Sequence, residues 1–159
     1  MTGPLTVADP EAMRDLGRRL GRELRAGDLI VLTGPLGAGK TTLTTGIGDA
    51  LGVRGPITSP TFVLARTHPA LTGGPDLVHV DAYRLGSAAE LDDLDLDLEG
   101  SVVVVEWGAG LLDGVTDSML EVRIERPAAA DADADGAEPR RVTLVPSGPR
   151  WSGTEPLLG

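Results

Sequence analysis

Eight consecutive residues, Gly34-Pro35-Leu36-Gly37-Ala38-Gly39-Lys40-Thr41, constrain this chain more than any other stretch. They satisfy G-x-x-x-x-G-K-[ST], the loop that cradles phosphates in nucleotide triphosphatases, and such a loop works only where a strand hands over to a helix. Both flanks are present. Upstream, Asp28 to Thr33 reads as a buried parallel strand, with four apolar residues launched from a turn at Gly27. Downstream, Leu43, Ile47, Ala50 and Leu51 recur at i, i+4, i+7 and i+8, the spacing of one helix face, and Gly52 predicts its end.

The residue types fit the chemistry. Gly34, Gly37 and Gly39 let the backbone curl until successive N–H groups point at phosphate oxygens, and the helix adds its positive N-terminal end. Lys40 reaches the β- and γ-phosphates, the Thr41 hydroxyl is a Mg²⁺ ligand, and Thr42 lies near the α-phosphate. A glycine-rich turn is the bland alternative, since the chain holds 22 glycines. Against it, Lys40 is the only lysine; the other basic residues are all arginines. A compact point charge is kept at the one place where a planar fork does not substitute for it.

Length and charge narrow the classes further. At 159 residues the chain is read as one domain over 1–149, with a flexible tail at 150–159. A net charge of −10 argues against autonomous DNA or RNA binding, which draws its affinity from Lys and Arg on phosphates. Any contact with RNA is expected to be indirect. No run of 18 apolar residues and no signal-like N-terminus appear, so a cytoplasmic location without membrane attachment is expected. The chain has no cysteine, hence no disulfide and no Cys-ligated zinc. It also has no Asn and no Gln, which excludes guanine reading through N-K-x-D and a Ras-type glutamine.

Along the chain, Asp9-Pro10 predicts a helix start, and Met13, Leu16, Leu20 and Leu24 form its apolar stripe. Arg14, Arg18 and Arg22 fall on another face, a solvated one or a partner-binding patch. A Gly- and Pro-rich loop from Gly52 to Pro60 precedes a short strand over Thr61 to Arg66, a second loop over Thr67 to Asp76, and a strand over Leu77 to Tyr83. Ser87 predicts a short helix over Ala88 to Leu94, and the leucine–acid alternation of Leu91 to Glu99 is read as helix then loop, its acids solvated. Ser101 to Glu106, with four successive valines, reads as a central parallel strand; ligands in such sheets bind where strands end, which singles out Glu106. Ser118 to Arg126 and Arg140 to Pro146 are late strands around a mobile acidic loop at 127–139, and fraying is expected from Pro149.

The order GPLGAGKTT, then SPTF at Ser59 to Phe62, HVDAYRL at His79 to Leu85 and VEW at Val105 to Trp107 resembles the TsaE family, also called YjeE, over about Val7 to Arg126. That resemblance implies a small α/β phosphate-loop domain of three layers, with a mostly parallel central sheet and late antiparallel strands. It implies a cytoplasmic ATPase, weak alone and stimulated by partners, needed to make N6-threonylcarbamoyladenosine at position 37 of tRNA. The implied cofactors are ATP and Mg²⁺; the implied partners are TsaB and TsaD, on which the protein would act as a nucleotide switch. Carried over by residue, Gly37, Ala38, Gly39, Lys40, Thr41, Thr42 and Trp107 bind nucleotide, Thr41 and Glu106 hold the metal, and Lys40, Glu106 and Asp81 are catalytic. Ser59 and Thr61 look like a switch loop. Pro35 and Gly108 depart from the usual pattern, an acid and a proline respectively, without removing a phosphate ligand.

Two other readings use the same loop. A small-molecule kinase would need an acceptor pocket and a lid arginine, for which Arg54 and Arg84 are the candidates. A non-catalytic nucleotide sensor would make Glu106 merely structural. For Glu106 and Asp81 the plain alternative is an acid at a strand end or turn, and for Trp107 a core filler.

Overall fold

A computed structural model of the chain describes residues 2–35, 38–53, 55, 57, 65–82, 99–106, 117–126 and 139–152. Its described elements are β1 (Thr2–Val7), α1 (Pro10–Glu23), β2 (Leu29–Thr33), α2 (Lys40–Leu51), β3 (Ala65–His68), β4 (Asp76–Asp81), β5 (Ser101–Glu106), β6 (Met119–Glu125) and β7 (Arg140–Ser147). The strands form one mixed sheet in the order β1-β7-β6-β2-β5-β4-β3. β6, β2, β5 and β4 run parallel, and β3, β7 and β1 add antiparallel edges. The expected mixed α/β architecture is what forms, with β2 at the centre between β5 and β6. Among the described residues no helix is long and apolar enough to cross a membrane.

Side-chain alternation divides the sheet into two buried faces. Ile30, Leu32, Leu77, Val102, Val104, Leu120 and Val122 pack under the helices, against Met13, Leu16 and Leu20 of α1 and Leu43, Ile47 and Leu51 of α2. Leu29, Val31, Val78, Val80, Val103 and Val105 form a second cluster on the opposite face. Burial on both sides is why β2 and β5 read as unbroken apolar runs. Each such side chain contributes roughly 1.5–3 kcal/mol on burial.

The two helices cross in unusually close contact. A Cβ on Gly17 would fall 2.2 Å from Leu43 O, and one on Gly46 would fall 2.0 Å from Arg14 O. The seam therefore has no room for a side chain at either position. At its exposed rim Asp49 of α2 accepts from Arg14 Nε at 2.7 Å and Arg18 Nε at 3.1 Å. These arginines, read from sequence as a solvated face or partner patch, tie α1 to α2. They also hold the Asp49 carboxyl below the usual carboxylate range, through hydrogen bonds with Arg14 first.

Local expectations hold for the start of α1, including the Asp9 cap, whose side chain accepts from Ala12 N at 2.8 Å; the helix ends at Glu23, with Leu24 as an extended cap, short of the stop expected at Gly27. They also hold for β2, α2 and β5. β1 was not expected; a stretch with Gly3 and Pro4 carries no strand pattern, and its existence depends on pairing with β7 across an irregular register. Of the strand expected at Thr61 to Arg66, residues 61–64 lie outside the described residues; Ala65 and Arg66 are strand, and pairing with β4 continues β3 to His68, into residues read as loop. β4 begins at Asp76 and ends at Asp81. Fraying does not begin at Pro149: Pro149–Trp151 forms a short 3-10 turn, and Trp151 is buried in the helix-side core. The expected helix at Ala88 to Leu94, most of the Leu91 to Glu99 alternation, the acidic loop at 127–138 and the last residues, 153–159, lie outside the described residues.

Candidate functional site

The phosphate loop leaves β2 at Gly34 and enters α2 at Lys40. Gly39 sits at φ +111°, in the left-handed region that a residue with a Cβ enters only under strain, and a Cβ there would press on Met13 Cε at 3.2 Å. No side chain caps α2. A helix leaves its first N–H groups without intrahelical acceptors and is positive at that end, so this start is built for an anion. Lys40 is buried, and its Nζ donates to Gly34 O at 2.7 Å and Pro35 O at 3.0 Å. Burial pushes the Lys40 ammonium below the usual lysine range, and the charges of Glu106 and Asp81 pull it part of the way back.

The strand register brings these three sequence candidates to one end of the sheet. β4 and β5 are parallel with Asp81 opposite Glu106, and Glu106 lies opposite Leu32 on β2. Alternation puts both acids on the helix-side face, in line with Leu77, Val102 and Val104, at the strand ends beside the phosphate loop. Glu106 is only 5% exposed. Its Oε2 lies 2.8 Å from Nε2 of His79, which is fully buried. Sequence reading quoted His79 within a motif and assigned it no role.

Beside the loop opens a pocket of about 130 Å³, lined by Asp9, Met13, Ala38, Gly39, Thr42 and Arg140 among others. Arg140 Nε, from the first residue of β7, donates to Ala38 O at 3.1 Å. Asp9, Met13 and Arg140 were missed as site residues. Each had a structural reading of its own, and the contact of Arg140 with the loop spans a separation of 102 residues.

The remaining candidates fall as follows. Ala38, Gly39 and Thr42 border the pocket, and Thr41 stands half-buried in the first turn of α2. Gly37, Trp107, the Ser59 to Phe62 loop, Arg54 and Arg84 lie outside the described residues. Among the described residues no group of three or more His, Asp or Glu could hold a metal ion by itself. The donor set that is present, one hydroxyl and strand-end acids beside an anion site, suits Mg²⁺ delivered with a nucleotide, since that ion uses few protein ligands and keeps phosphate and water oxygens.

A sequence model of the family described as threonylcarbamoyl adenosine biosynthesis protein TsaE matches residues 7–133. The tRNA threonylcarbamoyladenosine biosynthesis protein TsaE of Streptomyces coelicolor is 58% identical over 143 residues, covering 88% of this chain and 94% of that protein. The protein of the same name from Bacillus subtilis is 30% identical, over 91% of this chain and 86% of its own. Among solved structures, the crystal structure of Bacillus subtilis YdiB superposes with a TM-score of 0.68 at 26% identity, over 94% of this chain and 88% of that one.

Proposed function

The chain belongs to the TsaE family, and from that membership we infer that it binds and hydrolyses ATP in the service of tRNA N6-threonylcarbamoyladenosine formation, as a nucleotide switch on a TsaB–TsaD complex. One observation carries the chemical part of this reading. The lone lysine, at the start of the helix that follows β2, stands at the same end of the sheet as Glu106 and Asp81, which pair in register at the ends of neighbouring parallel strands.

In this reading the first turn of α2 and Lys40 grip the phosphates, Thr41 and Glu106 hold Mg²⁺, and the pocket at Thr42 and Arg140 takes the nucleoside. Bound there, Mg²⁺ would offset the charge of the phosphates. Lys40 then exchanges the carbonyls of Gly34 and Pro35 for phosphate oxygens, which relieves the desolvation of its ammonium. Glu106 would orient the attacking water and take its proton as the water oxygen bonds to the γ-phosphorus and the bond from that phosphorus to the bridging oxygen breaks, the oxygen leaving with ADP. Asp81 supplies a second negative charge that works against the burial of the Lys40 ammonium. Contact with tRNA runs through the partners, in keeping with a net charge of −10, and the setting is the cytoplasm.

The test is phosphate release from ATP by the chain alone and with TsaB and TsaD, beside a pull-down of those proteins with and without nucleotide. Slow turnover alone, faster turnover with both partners and nucleotide-dependent capture are expected, and Glu106→Ala should bind ATP but lose the turnover. Failure to bind ATP, or full-rate hydrolysis with no association under any nucleotide condition, contradicts the reading. Transfer of the phosphoryl group to a small metabolite would favour a kinase.

A further inference from the structure

We propose that His79 is a positioning residue for Glu106: its imidazole, as the neutral Nε2–H tautomer, holds one carboxylate oxygen so that the other stays available to ATP-bound Mg²⁺ or to water. The inference rests on the hydrolytic reading of Glu106 given above and assigns a role to a residue that reading leaves unused.

The geometry makes His79 an odd choice for packing alone. It lies on β4 in alternation with Leu77, on the helix-side face, and is 0% exposed. An apolar side chain would fill that place with no polar atoms to satisfy. The imidazole satisfies only one of its two nitrogens: Nε2 meets Glu106 Oε2 at 2.8 Å, whereas Nδ1 is buried with no partner among the described residues. Of the two neutral tautomers, only the Nε2–H form can donate to a carboxylate oxygen, and it leaves Nδ1 with the lone pair. The unpaired atom is then an acceptor, and no buried N–H is orphaned. What the chain retains for this unfavourable burial is one hydrogen bond, and it is aimed at the acid that ends β5 beside β2 and the phosphate loop.

The strand register turns that bond into a positioning device. His79 sits opposite Val104 and Asp81 opposite Glu106, so His79 and Glu106 are diagonal neighbours on one face of a rigid parallel pair. Among the described residues His79 is the only hydrogen-bond partner of the Glu106 carboxylate. Removing it frees the carboxylate to rotate, while the phosphate loop and its Lys40 contacts stay as they are. Partners that orient a metal-side acid are typically worth roughly 10- to 100-fold in metal affinity or activity.

Two measurements on the full chain decide the matter. The first is the tautomer, read from imidazole ¹⁵N shifts; with only two histidines in the chain, His68→Gln assigns the signals. The Nε2–H form is expected at His79 in the wild type, with its shift altered in Glu106→Ala. An Nδ1–H form, or shifts indifferent to Glu106→Ala, overturns the proposal. The second compares His79→Leu with His79→Gln, whose amide can still donate. His79→Leu should lower kcat and the Mg²⁺-dependent gain in ATP affinity by roughly 10- to 100-fold, with Mg²⁺-free ATP affinity unchanged within about twofold, and His79→Gln should restore most of the loss. Equal losses in both variants, or a lowered melting temperature with wild-type kcat, would show a packing residue only. If the wild type never hydrolyses ATP, the proposed function falls, and the tautomer measurement still decides whether His79 orients Glu106.

Discussion

The two ends of the central strands bury carboxylates in opposite ways. At the amino end of β2, Asp28 accepts from Arg25 N at 2.8 Å and from Arg150 Nε and Nη2 at 2.8 and 3.0 Å. Arg150 also donates to Glu23 O at 2.8 Å and lies 4.2 Å over the Trp151 ring. Both oxygens of that acid are engaged by a planar fork, the geometry of a structural clamp. At the carboxyl end of β5, Glu106 has one hydrogen-bond partner among the described residues, and the lysine at that end of the sheet donates to the backbone carbonyls of Gly34 and Pro35. A saturated acid fixes a fold; an acid held by one donor retains acceptor capacity for a ligand.

The sharpest way to break this contrast is to remove a partner at each end. Arg150→Ala leaves Asp28 buried without its counter-charge and should cost about 3–5 kcal/mol of unfolding free energy in a denaturant titration, with ATP affinity of the folded protein unchanged. Lys40→Ala should do the reverse: ATP affinity falls at least roughly 100-fold, about 2.7 kcal/mol, by calorimetry, with stability changed by less than about 1 kcal/mol. Comparable effects of both variants on both quantities would erase the distinction between the ends.

A third variant asks whether strain in α2 reaches its amino end. Gly46→Ala places a Cβ against Arg14 O and should destabilise by about 1–3 kcal/mol, read by thermal or chemical unfolding, without altering ATP affinity. The smallest effect concerns pH. The Asp49 carboxyl is lowered in the folded chain by Arg14 and Arg18, so its contribution is fully present above the ordinary carboxylate range and fades as pH falls through the depressed folded value. Unfolding curves of the wild type and Asp49→Asn should therefore differ slightly at neutral pH and converge in acid. The pair is largely exposed, and a large difference would mean that the seam depends on charge more than on the Gly17–Gly46 approach.

The same contrast explains what could be read from residues alone. β2, α2 and β5 were legible because the motif, the helical spacing and the valine run are local signals, and the rule that ligands gather at strand ends pointed to Glu106. The amino-end clamp was not, since Asp28 and Arg150 are 122 residues apart and the arginine stood in a stretch expected to fray. β1 carries no periodic pattern and owes its form to β7. His79 was visible as a strand residue, but its aim at Glu106 follows from a register that only the folded sheet defines.

The most direct test is a backbone amide NMR titration of the full chain with ATP and Mg²⁺. Shifts concentrated at Ala38 to Leu43, Glu106 and Arg140, with Asp28 and Arg150 unmoved, are what the account predicts. Saturable shifts centred on Asp28 and Arg150, or none at the start of α2, would contradict it.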